Sequence, residues 1–289
     1  MEPSYLNQIA YLLEYNRVVS QQQEVNESNL PIIIEAFQQQ EGLYVDGIIG
    51  PETLWKLQYR WANDDEKQLM LVKCVADPIA GGYSNLVLRE DAAKLYNIIR
   101  EQVLQLGGKI STSGGLRQLN VAANAHQSAL SMHYPGLAFD VNINDGFFKP
   151  EKDTFVIEKT ADPNGPYWRV WCRADGGEQQ EINAVYWNSW TSRTDLTKRI
   201  EGKFIDFTSL CRQNGFHPIG PRGAFLNGPN RAYLSAEWWH FQANDLLFRD
   251  ISQFGTELMR INTYAEVSIK AVNSALWSNA KQIFGKVWR

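Results

Sequence analysis

Two stretches of the chain carry most of its information about fold and chemistry: SMHYPGLAFD at residues 131–140 and EWWH at residues 237–240. The first stretch supplies His133 and Asp140, and the second supplies His240. Two imidazoles and one carboxylate can hold a zinc ion while leaving a fourth position for water. A zinc ion held in this way lowers the pKa of a water molecule to about 7. The two stretches therefore predict a catalytic zinc site with these three ligands.

A second carboxylate and a hydroxyl accompany the predicted ligands. Glu237 opens the second stretch, and we expect it to take a proton from water and to pass it to a leaving amine. Ser131 opens the first stretch, and we interpret it as a hydrogen-bonding neighbour of the ligands because no base is spaced to activate it as a nucleophile. Arg117 follows a glycine-rich turn, and its planar guanidinium suits a carboxylate or a tetrahedral intermediate, with a surface arginine in a loop as the alternative.

Three further residues are weaker candidates for substrate contact. Trp239 is expected to pack around the metal or to contact substrate. Arg222, in a Gly-Pro-Arg-Gly segment, and His217, in a Gly-Phe-His-Pro segment, are candidates for the cleft wall, with ordinary loop positions as the alternative. His126 fits neither stretch and is expected on a helix surface.

The size and composition exclude several classes of protein. The chain has 289 residues, 44% of them apolar, which is enough for two domains with real cores. The net charge of −4 argues against nucleic-acid binding, which favours a basic face. The three cysteines form no closely spaced pair, so we expect free, buried thiols. The sequence shows no secretory signal and no apolar run long enough to span a membrane, which predicts synthesis in the cytosol.

The order of the predicted elements indicates four segments in an α+β chain. Residues 1–62 form a small three-helix domain, residues 63–80 a charged linker, and residues 81–250 a domain in which helices flank a small antiparallel sheet around the zinc site. Within that domain an insertion-like region at 145–200 contains strands, with a hairpin predicted at Asp-Gly-Gly, 175–177. Residues 251–289 form an amphipathic helical extension that either packs on the protein or anchors it to a partner or an anionic surface.

The N-terminal segment resembles a known family of wall-binding modules. Ala-Phe-Gln at 36–38, followed by GLYVDGIIGPET at 42–53 and Leu57, is similar to the three-helix peptidoglycan-binding domains. The glycines mark turns and the apolar positions build a small core, so most of this signature is structural. The resemblance implies attachment to the bacterial cell wall.

The larger domain resembles the zinc peptidases of peptidoglycan. The pattern Ser-x-His-x(6)-Asp followed by Glu-x-x-His is similar to the D,D-carboxypeptidases, D-Ala-D-Ala dipeptidases and wall-cleaving endopeptidases that share the hedgehog-like fold. The resemblance implies one zinc ion on His133, Asp140 and His240, with Glu237 and Arg117 as catalytic residues. The Trp-Trp pair before His240 is most similar to the D,D-branches, whereas the base of the L-alanyl-D-glutamate endopeptidases is more often Asp.

These observations lead to two expectations of different classes. The first is a zinc peptidase that cuts the peptide stems of peptidoglycan, as a phage endolysin released through a holin or after lysis, or as a wall-degrading component of a phage tail or contractile injection particle. The second is a wall-binding or structural component of such a particle with weak or no hydrolysis. The insertion at 145–200 and the C-terminal helix favour the second, because both could build an interface with particle proteins.

Overall fold

The computed structural model describes residues 3–79, 81–119, 121, 128, 130–163, 165–188, 193–223, 225 and 233–264. The described chain is a mixed α+β protein with small antiparallel sheets, as predicted from the sequence. It divides into two compact units. The first contains residues 3–70 and 247–264 with two residues near 120, and the second contains the described residues between 71 and 246.

The first unit is helical. It contains α1 (Pro3–Tyr15), α2 (Leu30–Gln40), α3 (Pro51–Ala62) and the short α6 (Phe254–Met259). A proline occupies the first turn of both α2 and α3, where a missing backbone N–H costs no hydrogen bond. The first three helices lie where the sequence predicts them, and apolar residues at helical spacing form their common core: Ile9, Leu12, Leu13, Leu30, Ile33, Ile34, Phe37, Leu54 and Leu57.

The start of the predicted C-terminal extension belongs to this helical unit. Ile251 is buried in the core of the three helices. Gln58 Nε2 donates to the carbonyl oxygen of Ile251 at 3.0 Å, and Gln253 Nε2 donates to that of Pro51 at 2.9 Å. Residues 251–264 therefore belong to the helical unit and are not a separate extension, because Ile251 packs in the common core and two glutamine amides form hydrogen bonds between α3 and residues 251–253. Residues 265–289, which hold most of the predicted amphipathic helix, lie outside the described residues.

The segment predicted as a linker, 63–80, contains a strand. Strand β1 (Leu71–Val75) pairs in antiparallel register with β2 (Asn85–Arg89). Cys74 on β1 is buried. The division between the two units falls after residue 70. The sequence did not reveal this strand because it is short, carries a central lysine and begins soon after a charged run.

A four-stranded sheet forms the centre of the second unit. Its antiparallel order is β3 (Thr112–Gly114), β4 (Ala138–Val141), β9 (His240–Gln242) and β8 (His217–Pro218). Helix α4 (Glu90–Gln105) contributes Tyr96, whose ring packs edge-on against Phe139 with centroids 5.2 Å apart. The sheet thereby joins segments that are distant in sequence, and β4 and β9 are neighbours.

The insertion-like region forms a separate three-stranded sheet. It consists of β5 (Phe155–Asp162), β6 (Gly165–Asn188) and β7 (Arg193–Asp206), followed by helix α5 (Phe207–Gln213). The hairpin predicted at residues 175–177 is wrong. Arg173 and Glu178 of β6 both pair with Phe204 of β7, so the residues between them form a bulge within one long strand.

Gly177 explains why the sequence of residues 175–177 is typical of a turn. A Cβ atom on Gly177 would lie 2.6 Å from the carbonyl carbon of Phe204, so only glycine allows the two backbones to approach this closely. Turns and bulges both select glycine, and the sequence signal is the same for either.

The three cysteines are free and buried, as predicted. None of the described helices has the length and apolar character needed to cross a membrane.

Candidate metal centre

The loop before β4 holds His133 in place. Its backbone turns tightly, with the N–H of Gly136 donating to the carbonyl oxygen of His133 at 3.2 Å. Gly136 has φ +68°, and a Cβ there would lie 2.7 Å from the backbone nitrogen of Arg89. Glycine is therefore required both for the backbone conformation and for the close approach of β2. The hydroxyl of Ser131 accepts a hydrogen bond from the N–H of His133 at 3.3 Å, which further fixes the loop.

Strand pairing brings the other two predicted ligands together. Asp140 on β4 lies directly opposite His240 on β9. Residues that are paired across antiparallel strands project from the same face of the sheet. Two side chains that are 100 positions apart in the sequence therefore become neighbours.

Three potential ligand atoms converge between these elements. Asp140 Oδ1 lies 3.0 Å from His240 Nδ1 and 3.2 Å from His133 Nε2. The two ring nitrogens are 3.1 Å apart. A tetrahedral zinc ion with bonds of about 2.0–2.1 Å places its ligand atoms about 3.3 Å apart, so the observed triangle is close to one face of such a site.

The outer nitrogens of both imidazoles have their own partners. His133 Nδ1 lies 2.5 Å from the carbonyl oxygen of Gly115, and His240 Nε2 lies 3.3 Å from Gln242 Oε1. Both partners accept hydrogen bonds, which assigns the N–H of each neutral ring to its outer nitrogen. The inner nitrogens then present lone pairs towards the carboxylate of Asp140. Three acceptors that face one another repel unless a cation lies between them, and this donor set fits zinc.

The electrostatics of the triangle favour a positive charge at its centre. Burial raises the pKa of Asp140, but the charges and hydrogen bonds of His133 and His240 outweigh burial and hold that pKa well below its usual range. Burial lowers the pKa of His133, but the charge and hydrogen bond of Asp140 outweigh it and raise the pKa above the ordinary value. A proton and a metal ion therefore compete for the same place. The three residues are a group that could hold a metal ion.

Glu237 lies beside the triangle in an unusual backbone conformation. Its φ is +59°, in the left-handed region that residues other than glycine rarely adopt. Its side chain is buried, and Arg222 Nε contacts Glu237 Oε1 at 2.5 Å. Burial raises the pKa of Glu237 above the ordinary value, against the opposing charges of His240 and Arg222. A raised pKa suits a group that must both accept and release a proton near neutral pH.

Arg117 is tied to the loop that carries His133. Its backbone N–H donates to the carbonyl oxygen of His133 at 3.0 Å, and its guanidinium carbon lies 5.3 Å from the centre of the Tyr134 ring. One terminal nitrogen of the guanidinium is buried and has no hydrogen-bond partner among the described residues. A buried donor without a partner is costly, and at a cavity wall it can be satisfied by a ligand oxygen.

These side chains line one cavity of about 190 Å³. The sequence-predicted residues that the structure brings together at this cavity are Arg117, Ser131, His133, Asp140, Arg222, Glu237, Trp239 and His240. Sequence reasoning missed four more lining residues: Ser113, Ser128, Ile143 and Leu234. Isolated serine and aliphatic residues have no characteristic spacing, although Ser113 could have been suspected from its place beside the glycine-rich turn.

His217 does not line this cavity. It lies on β8, and its Nε2 is 2.8 Å from Asp245 Oδ1 in a partly exposed hydrogen bond. His126 lies outside the described residues. No family model, no curated protein and no solved structure matches the chain.

Proposed function

We propose that this protein is a zinc-dependent peptidase that hydrolyses the peptide stems of bacterial peptidoglycan. One observation carries the proposal: three converging metal-ligand atoms share a cavity with a buried carboxylate and two guanidinium groups. That combination can polarise a carbonyl, accept a proton and stabilise a developing negative charge.

His133, Asp140 and His240 would hold the zinc ion. Bound zinc would act as a Lewis acid towards a scissile carbonyl and would lower the pKa of a water molecule. The hydrogen bonds to Gly115 and Gln242 keep both imidazoles in the tautomer that offers the inner nitrogen.

Glu237 has the properties required of a general base. It is buried, its pKa is raised, and Arg222 holds one of its oxygens so that the other remains for proton transfer. We propose that Glu237 takes a proton from the attacking water and delivers it to the nitrogen of the leaving amine. Arg222 would keep the carboxylate oriented between these two steps.

Arg117 is suited to stabilise the negative charge that develops on the substrate. Its buried terminal nitrogen has no hydrogen-bond partner among the residues that the structure describes, and it can donate to the oxygen that becomes negative as the carbonyl is attacked, or to a carboxylate of the substrate. The stacking of its guanidinium on Tyr134 restricts its movement, so little reorganisation is needed when the substrate arrives.

The cell wall as substrate rests on the two sequence resemblances. The first unit has its three helices where the resemblance to peptidoglycan-binding domains requires them, and the cavity residues match the motifs of the wall peptidases. Glu237 and the Trp-Trp pair favour a D,D-carboxypeptidase or D,D-endopeptidase over an L-alanyl-D-glutamate endopeptidase. We place the protein with the phage endolysins, which act on the wall after lysis, holin release or delivery by a particle.

The test combines turbidity of purified sacculi with mass spectrometry of the released muropeptides. The zinc-loaded protein should lower the turbidity, and a chelator or Glu237→Gln should stop this, with a rate loss of about 10²–10⁴-fold for the substitution. Glu158→Gln is the matched control, because this half-buried carboxylate lies on β5 and does not line the cavity. Muropeptides that lose D-alanine, or are opened at a D,D-bond, would support the D,D-preference.

Two results would contradict the proposal. Sacculi that sediment with the zinc-loaded protein and stay intact would favour a wall-binding or structural component of a particle. Full activity of Glu237→Gln would remove the proposed base.

A further inference from the structure

An indole from the inserted sheet bonds the backbone immediately before Glu237. Trp168 lies on β6, and its Nε1–H donates to the carbonyl oxygen of Ala236 at 2.7 Å. Both residues are buried, so water cannot take over either end of this hydrogen bond. The sequence motifs contain no sign of this contact, because Trp168 belongs to the region that they do not cover.

This hydrogen bond acts on the dihedral angle that makes Glu237 unusual. The carbonyl of Ala236 and the N–H of Glu237 belong to one planar peptide unit. Rotation of that unit about the N–Cα bond of Glu237 is the angle φ, which has the value +59°. A donor fixed on the carbonyl therefore resists the rotation that would return Glu237 to a common backbone conformation.

The surroundings of Trp168 keep the indole itself in position. Its ring packs edge-on against Phe147, with centroids 5.4 Å apart. On the strand, Thr208 Oγ1 accepts a hydrogen bond from the N–H of Val170 at 2.8 Å and ties β6 to the start of α5. A group carried by a packed strand positions its partner more precisely than a loop residue can.

Residues 233–240, which contain the acceptor of the Trp168 hydrogen bond, are also held by hydrogen bonds of their own. The N–H of Ala236 donates to the carbonyl oxygen of Tyr233 at 2.8 Å, and the N–H of His240 donates to the carbonyl oxygen of Glu237 at 3.1 Å. Trp238 Nε1 donates to the hydroxyl of Tyr233 at 3.1 Å. The backbone on both sides of Glu237 is therefore held by hydrogen bonds. Trp168 donates the one hydrogen bond among these that comes from the three-stranded sheet of β5, β6 and β7.

We propose that Trp168 is a positioning residue for Glu237, and that the inserted sheet thereby holds the carboxylate at the cavity. The inference rests on the proposed function for the role of Glu237 as a base. The hydrogen bond itself can be tested without activity. The region at 145–200 then has a structural role within the second unit, the positioning of Glu237, and this role requires no binding partner.

The experiment compares Trp168→Phe with Trp171→Phe. Trp171 is the matched control, because it lies on the same strand, is nearly as buried, and donates its indole N–H to Glu158 Oε2 at 3.2 Å rather than to the segment before Glu237. We expect Trp168→Phe to lower kcat by about 10- to 100-fold with KM and zinc stoichiometry retained. Trp171→Phe should leave all three within about twofold, as expected for the loss of a partly exposed hydrogen bond.

Two further measurements separate positioning from general destabilisation. In crystal structures of the metal-free variants, φ of Glu237 should leave the left-handed region in Trp168→Phe and stay there in Trp171→Phe. In the Glu237→Gln background, Trp168→Phe should cause no further loss of kcat, because the group through which it acts is already gone.

The inference is overturned if φ of Glu237 and kcat are both unchanged in Trp168→Phe, or if the two substitutions lower kcat independently. Should Trp168→Phe fail to fold, β-(3-benzothienyl)alanine at position 168 keeps the ring shape and removes only the N–H donor, and the same outcomes apply. If the wild-type protein hydrolyses nothing, the proposed function fails, yet the crystallographic comparison still tests the link between Trp168 and Glu237.

Discussion

Each unit of the molecule contains a polar cluster that includes buried side chains, and the two clusters differ in whether their polar atoms have hydrogen-bond partners. In the helical unit, Gln38 Nε2 donates to Asp46 Oδ1, the carbonyl oxygen of Ile48 and Thr53 Oγ1 at 2.8–3.1 Å. Gln38 Oε1 accepts from the N–H groups of Asp46 and Gly47, both at 3.0 Å. Both amide atoms of Gln38 therefore have hydrogen-bond partners, and the side chain stabilises the turn after α2 without any added ligand.

The cluster in the second unit is not balanced in this way. His133, Asp140 and His240 turn three acceptor atoms towards one another while their outer nitrogens are already engaged. A buried amide with its hydrogen bonds formed contributes to the fold, whereas a group of converging acceptors needs a cation between them. The comparison predicts that damage to the first cluster reduces stability, and that damage to the second reduces metal binding.

The largest effect should come from removing a ligand. His133→Ala or His240→Ala should weaken zinc binding by more than about 100-fold, because loss of a direct ligand costs more than the 10- to 100-fold typical of its outer partners. Equilibrium dialysis with metal analysis measures this directly. His217→Ala is the control, since His217 pairs with Asp245 and lies away from the cavity lining. Zinc retained at one ion per chain without His133 would contradict the ligand assignment.

A substitution in the polar cluster of the helical unit should change the stability of the protein and leave zinc binding unchanged. Gln38→Leu leaves the N–H groups of Asp46 and Gly47 without their acceptor and should lower the free energy of unfolding of the helical unit by about 2–3 kcal/mol. Urea denaturation followed by circular dichroism measures the loss. Gln39→Leu, at an exposed position on the same helix, should stay within about 0.5 kcal/mol of wild type. A fall in zinc stoichiometry with Gln38→Leu would break the distinction between the two clusters.

The pH dependence of zinc binding should follow the competing proton. Asp140 stays ionised because its pKa is lowered, whereas the raised pKa of His133 means that its ring is protonated below that pKa. Zinc affinity should therefore fall by about tenfold per pH unit for each proton displaced as the pH drops below that of the His133 transition. Isothermal titration calorimetry from pH 5 to pH 8 checks this. A constant affinity across that range would show that the proton and the metal do not share the site.

The metal-free protein should show the opposite trend for this group. Because folding raises the pKa of His133, its contribution to stability is fully present below the unfolded value of about 6.5 and is lost as the pH rises through the folded value. Thermal unfolding with and without zinc should therefore diverge as the pH increases. The divergence should vanish in His133→Ala.

The smallest effect should come from the loop beside the ligands. Ser131→Ala removes the acceptor of the His133 N–H and should weaken zinc binding by less than about tenfold. Ser209→Ala, whose hydroxyl bonds Asp206 and which does not line the cavity, should leave zinc binding unchanged. An effect as large as that of His133→Ala would mean that Ser131 belongs to the ligand set.

The sequence predicted which three side chains come together as candidate metal ligands better than it predicted the contacts around them. The candidate metal ligands His133, Asp140 and His240 follow from residue types and spacing, since the side chains that bind metals form a restricted set. The pairing of β4 with β9, which brings Asp140 and His240 together, was not predicted and is seen only in the structure. The contact between Arg222 and Glu237 could not be derived in this way, because it depends on how two loops meet in space.

Long-range pairing explains the main errors. Residues 175–177 contain the glycines of a turn, and only the partner strand β7 shows that they form a bulge. Strand β1 was hidden in the predicted linker because its pairing with β2 decides its structure more than its own composition does. His217 has the local surroundings of a cleft residue, yet the chain fold gives it Asp245 as its partner.

The most direct test of the central claim is the anomalous scattering of a zinc-soaked crystal measured at the zinc absorption edge. We expect one strong anomalous peak, within bonding distance of His133 Nε2, Asp140 Oδ1 and His240 Nδ1. A peak elsewhere on the chain, or none at these three atoms under saturating zinc, would contradict it.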